Sequence, residues 1–192
     1  MNESLITSAI AYIDGLFKNI YDGHDVDHSV RVYHNALRIA ELEGCCDMEI
    51  VALAAILHDA DDHKLFSTEN NENARIFLNQ QHISADEADR ICEVINSVSF
   101  SRNRGRHPET QEGKIVQDAD RLDALGAVGI ARTYAFGGKH GRSIDESTQH
   151  FYEKLLLLKD EMNTSSGKKM AESRHAFLEM FLAELKNETE SS

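Results

Sequence analysis

A histidine and an aspartate directly follow the most apolar segment of the chain. His58 and Asp59 come after residues 50–57, which read IVALAAIL. Burying either polar group without a partner is costly. A metal ion would satisfy both groups, and imidazole with carboxylate suits a divalent cation such as Mn²⁺, Fe²⁺, Co²⁺, Ni²⁺ or Zn²⁺. The alternative is that the two side chains form a hydrogen-bonded pair that caps the helix. The His58-Asp59 doublet alone leaves both interpretations open.

Two other segments supply groups of the same kinds. Residues 24–32 (HDVDHSVRV) contain His24 and His28, and residues 114–126 (KIVQDADRLDALG) thread three carboxylates through apolar positions. Both segments have helical spacing, so each could present a side chain to a shared site.

The ordered set resembles the HD-domain metal-dependent phosphohydrolases, and most closely their small, single-domain bacterial members. The resemblance covers about residues 20–142 and is carried by the order H…HD…D, by H-x-x-R-V from His28 and by D-A-D-R-L-D around the last aspartate. It implies one divalent metal ion, with Mn²⁺ expected and Mg²⁺, Co²⁺, Ni²⁺, Fe²⁺ or Zn²⁺ as alternatives. The implied ligands are His28, His58, Asp59 and Asp120.

The choice of Asp120 among three carboxylates follows the A-D-R-L pattern. Helical geometry agrees, because Asp120 and Asp123 share a face whereas Asp118 points about 160° away from Asp120 at 3.6 residues per turn. Asp118 could then orient a ligand histidine or be solvated. Asp123 could reach the same site or cap Arg121.

The resemblance also implies two catalytic residues, Asp59 through the metal and Asp62 through proton transfer. Asp62 stands three residues after Asp59, where many of these hydrolases place an acid/base carboxylate. It could take a proton from the attacking water or give one to the leaving oxygen. Relatives often have Glu at this spacing, so the reach of Asp62 is shorter by one methylene. Alternatively, Asp61 and Asp62 belong to a solvated acidic loop.

Cationic side chains are candidates for phosphate binding. Arg31 lies one helical turn from His28 and should face the same site, and Lys64 follows the doublet. The loop 99–108 (SFSRNRGRHP) is basic in a chain of formal net charge −13, which indicates local phosphate recruitment, with a solubilising surface loop as the open alternative. The substrate-binding candidates are Arg31, Lys64, Arg102, Arg104 and His24.

Helical spacing throughout and a single proline predict an all-α fold, and the resemblance implies a single compact helical HD-domain bundle. We expect one domain over 1–192, with the HD motif core at about 20–142 and C-terminal helices at about 146–187. Asp47, Ser84 with Glu87, and Gly44 are predicted caps, and Gly137-Gly138 is a predicted break. The predicted helices cover about 3–21, from about 27 to Gly44, from Asp47 to 57, from Ser84 through Ile95, 109–125, 127–136, 146–163 and 167–187.

Composition narrows the functional classes. The net charge of −13 argues against nucleic-acid binding. No segment reaches the roughly 18 apolar residues of a membrane span, and no signal peptide precedes the first helix, so a cytoplasmic monomer or homodimer without a membrane partner is expected. Three cysteines with no C-x-x-C spacing do not indicate a zinc site.

The predicted function is metal-dependent hydrolysis of a small phosphorylated metabolite, with a nucleotide as the expected partner. Pyrophosphohydrolase and phosphatase activities remain open, as does hydrolysis of a phosphorylated signalling nucleotide. A non-catalytic metal- or nucleotide-binding sensor is the rival from another class. A metal-dependent enzyme with a non-phosphate substrate would be expected to have more ligands than these.

Overall fold

The chain is α-helical in the computed structural model, which describes residues 2–18, 25–99, 103 and 106–190. These residues contain no β-strand, and the predicted all-α class is confirmed. The helices found in the described ranges are α1 Glu3–Phe17, α2 Val26–Glu43, α3 Met48–Leu57, α4 Glu72–Gln80, α5 Ala85–Val98, α6 Gln111–Asp123, α7 Gly126–Lys139, α8 Ile144–Glu153 and α9 Ser165–Glu190.

The chain divides into two compact units, Met1–Asp120 and Arg121–Ser192. The boundary falls within α6, between the residue expected to ligate a metal and its neighbour. The single domain predicted over 1–192 stays a prediction. No described helix is both long enough and apolar enough to cross a membrane.

The first unit is built around α3. Every residue from Ile50 to Leu57 is buried, and α3 packs against α1, α2 and α5. Its amino end is capped as predicted, because Asp47 Oδ1 accepts hydrogen bonds from the N–H groups of Glu49 and Ile50 at 3.1 and 3.3 Å. Burial on all sides fixes the direction of α3, and so fixes where its last residue lies.

One helix of the first unit was not assigned from the sequence. Helix α4 occupies part of the stretch between the HD doublet and Ser84, and buries Ala74, Phe77 and Leu78. These positions have the i, i+3, i+4 spacing of an amphipathic helix. The signal was present, but only over nine residues.

The predicted capping box at Ser84 is partly wrong. The Ser84 hydroxyl oxygen accepts the N–H of Glu87 at 3.3 Å and caps α5. The Glu87 carboxylate, however, accepts the Ser84 hydroxyl at 2.7 Å and not the Ser84 N–H. A complete capping box is found instead at Ser143 and Glu146, where α8 begins.

The second unit differs from its predicted helices in two places. The single helix expected over 146–163 is α8 followed by a 3-10 helix, Leu155–Glu161. The predicted break at Gly137-Gly138 is wrong, because both glycines lie in the last turn of α7. Gly137 is needed for close packing, since a Cβ built there would lie 2.1 Å from Ser147 Oγ on α8.

This contact predicts opposite effects for two adjacent substitutions. Gly137→Ala should lower the free energy of unfolding by about 1–3 kcal/mol, because the added methyl group overpacks α7 against α8. Gly138→Ala is the matched control, since a Cβ there meets nothing within 4 Å. It should raise stability by up to about 1 kcal/mol through helix propensity. Urea unfolding measures both values, and equal effects of the two substitutions would contradict the packing.

Candidate metal centre

His28 lies in the first turn of α2 and is buried, with 2% of its surface exposed. The helix begins here because Asp25 is its N-cap. The Asp25 carboxylate accepts the backbone N–H of His28 at 2.7 Å. This bond fixes the backbone of the histidine itself, so the imidazole leaves α2 in a defined direction.

His58 is the C-cap of α3 and follows its buried face directly. Its Nδ1 lies 2.9 Å from the carbonyl oxygen of Ala55. A carbonyl oxygen only accepts, so Nδ1 carries the proton that is donated. In the neutral imidazole Nε2 is therefore unprotonated and presents a lone pair, which is the form that binds a metal.

Two carboxylates complete the cluster. Asp59 Oδ2 lies 3.5 Å from His28 Nε2 and 3.3 Å from His58 Nε2. Asp120 Oδ1, from α6, lies 3.5 Å from His28 Nε2 and 3.8 Å from His58 Nε2. The two imidazole nitrogens are themselves 3.3 Å apart. Helices α2 and α6, the C-cap of α3 and the turn after it thus bring four donor groups near one another in the first unit.

The spacing of these donors fits a divalent ion. Ligand bonds of about 2.1 Å place neighbouring donor atoms about 3.0 Å apart at octahedral angles and about 3.4 Å apart at tetrahedral angles. The distances of 3.3–3.8 Å in the cluster lie close to these values. Among the described residues, His28, His58 and Asp120 form a group that could hold a metal, with donor atoms within 4.8 Å of one another; the predicted ligand Asp59 lies outside this group although it is close to both imidazoles.

The electrostatics of the cluster favour a bound cation. Burial disfavours the charged form of His58, but the carboxylates of Asp59 and Asp120 outweigh it and raise its pKa. Burial likewise opposes ionisation of Asp120, yet a hydrogen bond with His28 and the charges of both imidazoles lower the pKa of this carboxyl group. Positive charge between the nitrogens and oxygens is therefore stabilised here.

Asp62 lies in the turn that follows the doublet. Its backbone N–H donates to the carbonyl oxygen of Asp59 at 3.1 Å, and its carboxylate Oδ1 accepts the N–H of Lys64 at 2.8 Å. His63 Nδ1 is 3.4 Å from the same oxygen. The Lys64 side chain is exposed.

The structure describes only some of the other residues predicted to bind substrate. Arg31 is half-buried on α2, one turn beyond His28. His24, Arg102 and Arg104 lie outside the described residues. Of the basic loop, Arg106 and His107 line a cavity of about 180 Å³, together with Glu93 of α5 and Glu109, which follows the loop. This cavity is therefore lined by residues of both charges.

The remaining carboxylates of α6 have separate environments. Asp118 is completely buried, so its predicted solvated alternative is wrong. Asp123, in the second unit, binds the guanidinium of Arg132 at 2.6 Å, whereas Arg121 donates to the carbonyl oxygen of Glu161 and pairs with its carboxylate. Of the two alternatives for Asp123, the metal site and Arg121, neither is the partner at 2.6 Å, which is Arg132.

Two supporting residues were not identified from the sequence. Asp25 was available as a signal, since an N-cap aspartate followed by an acidic first turn commonly starts a helix. No sequence signal points to Asn35. Its side-chain amide donates to the carbonyl oxygen of Ala119 at 3.4 Å and links α2 to α6 beside Asp120. Such a contact joins residues 84 positions apart, which no local pattern encodes.

Comparisons with known proteins agree with this geometry. The family model of the HD domain matches residues 25–125. The chain is 40% identical over 186 residues to YpgQ of Bacillus subtilis, covering 92% of this chain and 90% of that protein. The crystal structure of YpgQ in complex with ADP has a TM-score of 0.83 at 37% identity and covers 95% of this chain and 97% of that one. An HD-superfamily hydrolase from Bacillus thuringiensis has a TM-score of 0.82 at 36% identity, over 99% of each chain.

The cluster predicts that removal of one carboxylate weakens metal binding. Asp59→Ala deletes an oxygen that lies within 3.5 Å of both imidazoles, so Mn²⁺ affinity should fall by at least about tenfold. Isothermal titration of the metal-stripped protein measures this. Asp27→Ala removes an exposed carboxylate beside His28 and should leave the affinity unchanged. Equal affinities of Asp59→Ala and the parental protein would exclude Asp59 as a ligand.

Proposed function

This chain belongs to the HD domain family, and from that premise we propose that it is a divalent-metal-dependent phosphohydrolase whose substrate is a nucleotide. The observation that carries the proposal is the buried convergence of His28, His58, Asp59 and Asp120. The proposed resident ion is Mn²⁺, one of the divalent cations that a mixed ligand set of two imidazoles and two carboxylates suits.

The metal and the protein have separate tasks in this proposal. When bound, a divalent ion would lower the pKa of a water molecule and polarise a phosphoryl oxygen. A set of four donors, from α2, α6 and the end of α3 with its following turn, would leave positions for both. His58 is held in the metal-binding tautomer by the Ala55 carbonyl, which removes the cost of reorienting the ring.

Asp62 is the proposed acid/base residue. It is partly buried, and the turn from Asp59 to Asp62 is closed by a backbone hydrogen bond. Its carboxylate would accept the proton of the attacking water and later return a proton to the leaving oxygen. The N–H of Lys64 binds Oδ1, so the orientation of this carboxylate is fixed.

A nucleotide is proposed as substrate on two grounds. The relative YpgQ forms a complex with ADP, and a formal net charge of −13 means that an anionic substrate needs the ion together with local cations. Arg31, one turn from His28 on α2, and Lys64, beside Asp62, are the described cations proposed to contact phosphate. A nucleotide-binding module without turnover is the alternative, which the ADP complex of YpgQ equally supports.

The deciding experiment measures phosphate and pyrophosphate release from a nucleotide panel. The protein is first stripped of metal and then resupplied with Mn²⁺, Mg²⁺, Co²⁺, Ni²⁺ or Zn²⁺. We expect turnover that requires an added ion and is lost in Asp59→Ala, and the product identifies the bond that breaks. Nucleotide binding without release of either product, with any ion, would favour the binding module.

Asp62→Asn should separate catalysis from metal binding. The amide keeps the oxygen that accepts the Lys64 N–H but cannot exchange a proton, so kcat should fall about 10²-fold or more with metal content unchanged. Steady-state kinetics with parallel metal analysis test this. A kcat equal to the parental value would remove Asp62 from the mechanism.

A further inference from the structure

Helix α4 begins without a cap of its own. Its N-cap residue, Asn71, is in the left-handed conformation, with φ 57° and ψ 45°, and makes no side-chain capping bond. The Asn71 amide instead donates to the carbonyl oxygen of Cys92 at 3.3 Å and ties the helix start to α5. The first-turn N–H groups of α4 therefore need an acceptor from elsewhere in the chain.

Asp61 supplies that acceptor from the turn that carries the HD doublet. Its Oδ1 accepts the N–H of Asn73 at 2.9 Å, and its Oδ2 accepts the N–H of Ala74 at 3.0 Å. These are the second and third residues of α4, the positions that an N-cap side chain normally serves. The negative charge of the carboxylate is also favourable at a helix amino end.

These bonds form a clamp between the turn at Ala60-Asp61 and the amino end of α4, and α4 donates a side-chain hydrogen bond to it as well. The Asn73 amide donates to the carbonyl oxygen of Ala60 at 2.8 Å, so α4 also binds the backbone next to Asp61. The hydroxyl of Tyr12 donates to the carbonyl oxygen of Asn73 at 2.8 Å. Four hydrogen bonds thus connect α1, the amino end of α4 and the turn at Ala60-Asp61.

The turn needs such an anchor because α3 ends at Leu57. Beyond it, the backbone is held locally by single turn bonds, from the N–H of Ala60 to the carbonyl of Leu57 and from the N–H of Asp62 to that of Asp59. Asp61 lies between the carboxylates of Asp59 and Asp62. Its two bonds to α4 connect this turn to the amino end of a second helix.

We infer that Asp61 is a positioning residue of the metal centre: by capping α4 it holds Asp59 toward the two imidazoles and Asp62 toward the substrate. The part that concerns Asp62 rests on the proposed function, whereas the part that concerns Asp59 is a statement about metal binding. Asp61 is therefore not part of a solvated acidic loop. Its role is mechanical and does not require that it touch the ion or the substrate.

The test compares the loss of two helix caps. Asp61→Ala removes the cap of α4, and Ser84→Ala removes the cap of α5, whose hydroxyl oxygen accepts the N–H of Glu87. Both variants should unfold at lower temperature, since each loses a helix cap. Only Asp61→Ala should weaken Mn²⁺ binding, by about tenfold or more as expected for a partner that orients a ligand. It should also change the visible absorption of the Co²⁺-substituted protein.

Amide hydrogen exchange of the metal-free protein gives a second readout. In Asp61→Ala the amides of Asn73 and Ala74 and those of the turn at 58–62 should exchange faster together, because the clamp joins them. Asn73→Ala keeps the carboxylate but removes the bond to Ala60, so it should show a smaller loss of Mn²⁺ affinity. This milder variant decides the question if Asp61→Ala does not fold.

The outcomes separate the two proposals. Mn²⁺ affinity within about twofold of the parental value in Asp61→Ala and Asn73→Ala, with an unchanged Co²⁺ spectrum, overturns the positioning role. An equal loss of affinity in Ser84→Ala overturns it as well, since general destabilisation would then be the cause. A parental protein that binds Mn²⁺ but hydrolyses no nucleotide contradicts the proposed function, and the ion-binding comparison still decides the role of Asp61.

Discussion

The cost of burying polar groups without partners governs the first unit. Two imidazole nitrogens lie 3.3 Å from each other and 3.3–3.8 Å from an oxygen of each of two carboxylates, beside the end of a helix that is buried on every side. Such an arrangement is stable only if charges and lone pairs are matched. A divalent cation would match these donors. Against the effect of burial, the neighbouring carboxylates raise the pKa of His58 and the imidazoles lower the pKa of Asp120, so each partner stabilises the charge of the other.

The surrounding structure supports this cluster through helix ends. Asp25 caps α2 on the N–H of His28 itself, and the Ala55 carbonyl sets the tautomer of His58. The Asn35 amide links α2 to α6 next to Asp120. Each contact acts on a residue that presents a donor, or on its direct neighbour. A site built in this way is held by backbone positions, which are harder to displace than the rotamers of exposed side chains.

Local signals predicted the fold where a few adjacent residues decide the structure. Asp47 caps α3, Ser84 caps α5 and Gly44 ends α2 with φ 64°, all from short-range sequence preferences. The predicted helix boundaries were wrong where contacts between residues distant in sequence determine the structure. Gly137 and Gly138 continue α7 because α8 packs closely against it, and the helix expected over 146–163 becomes α8 and a 3-10 helix. Propensity alone cannot foresee such packing.

The amino-acid sequence alone specifies which polar groups are available and in which order they occur. His58 and Asp59 follow an apolar helix, a histidine lies at the start of α2, and an aspartate stands in the A-D-R-L pattern of α6. The sequence could not decide between Asp123 as a site residue and Asp123 as an ion-pair partner, nor find the capping of α4 by Asp61. The tertiary structure decided these points. Hydrogen bonds between residues 9 to 84 positions apart depend on how helices pack, and no local sequence window contains that information.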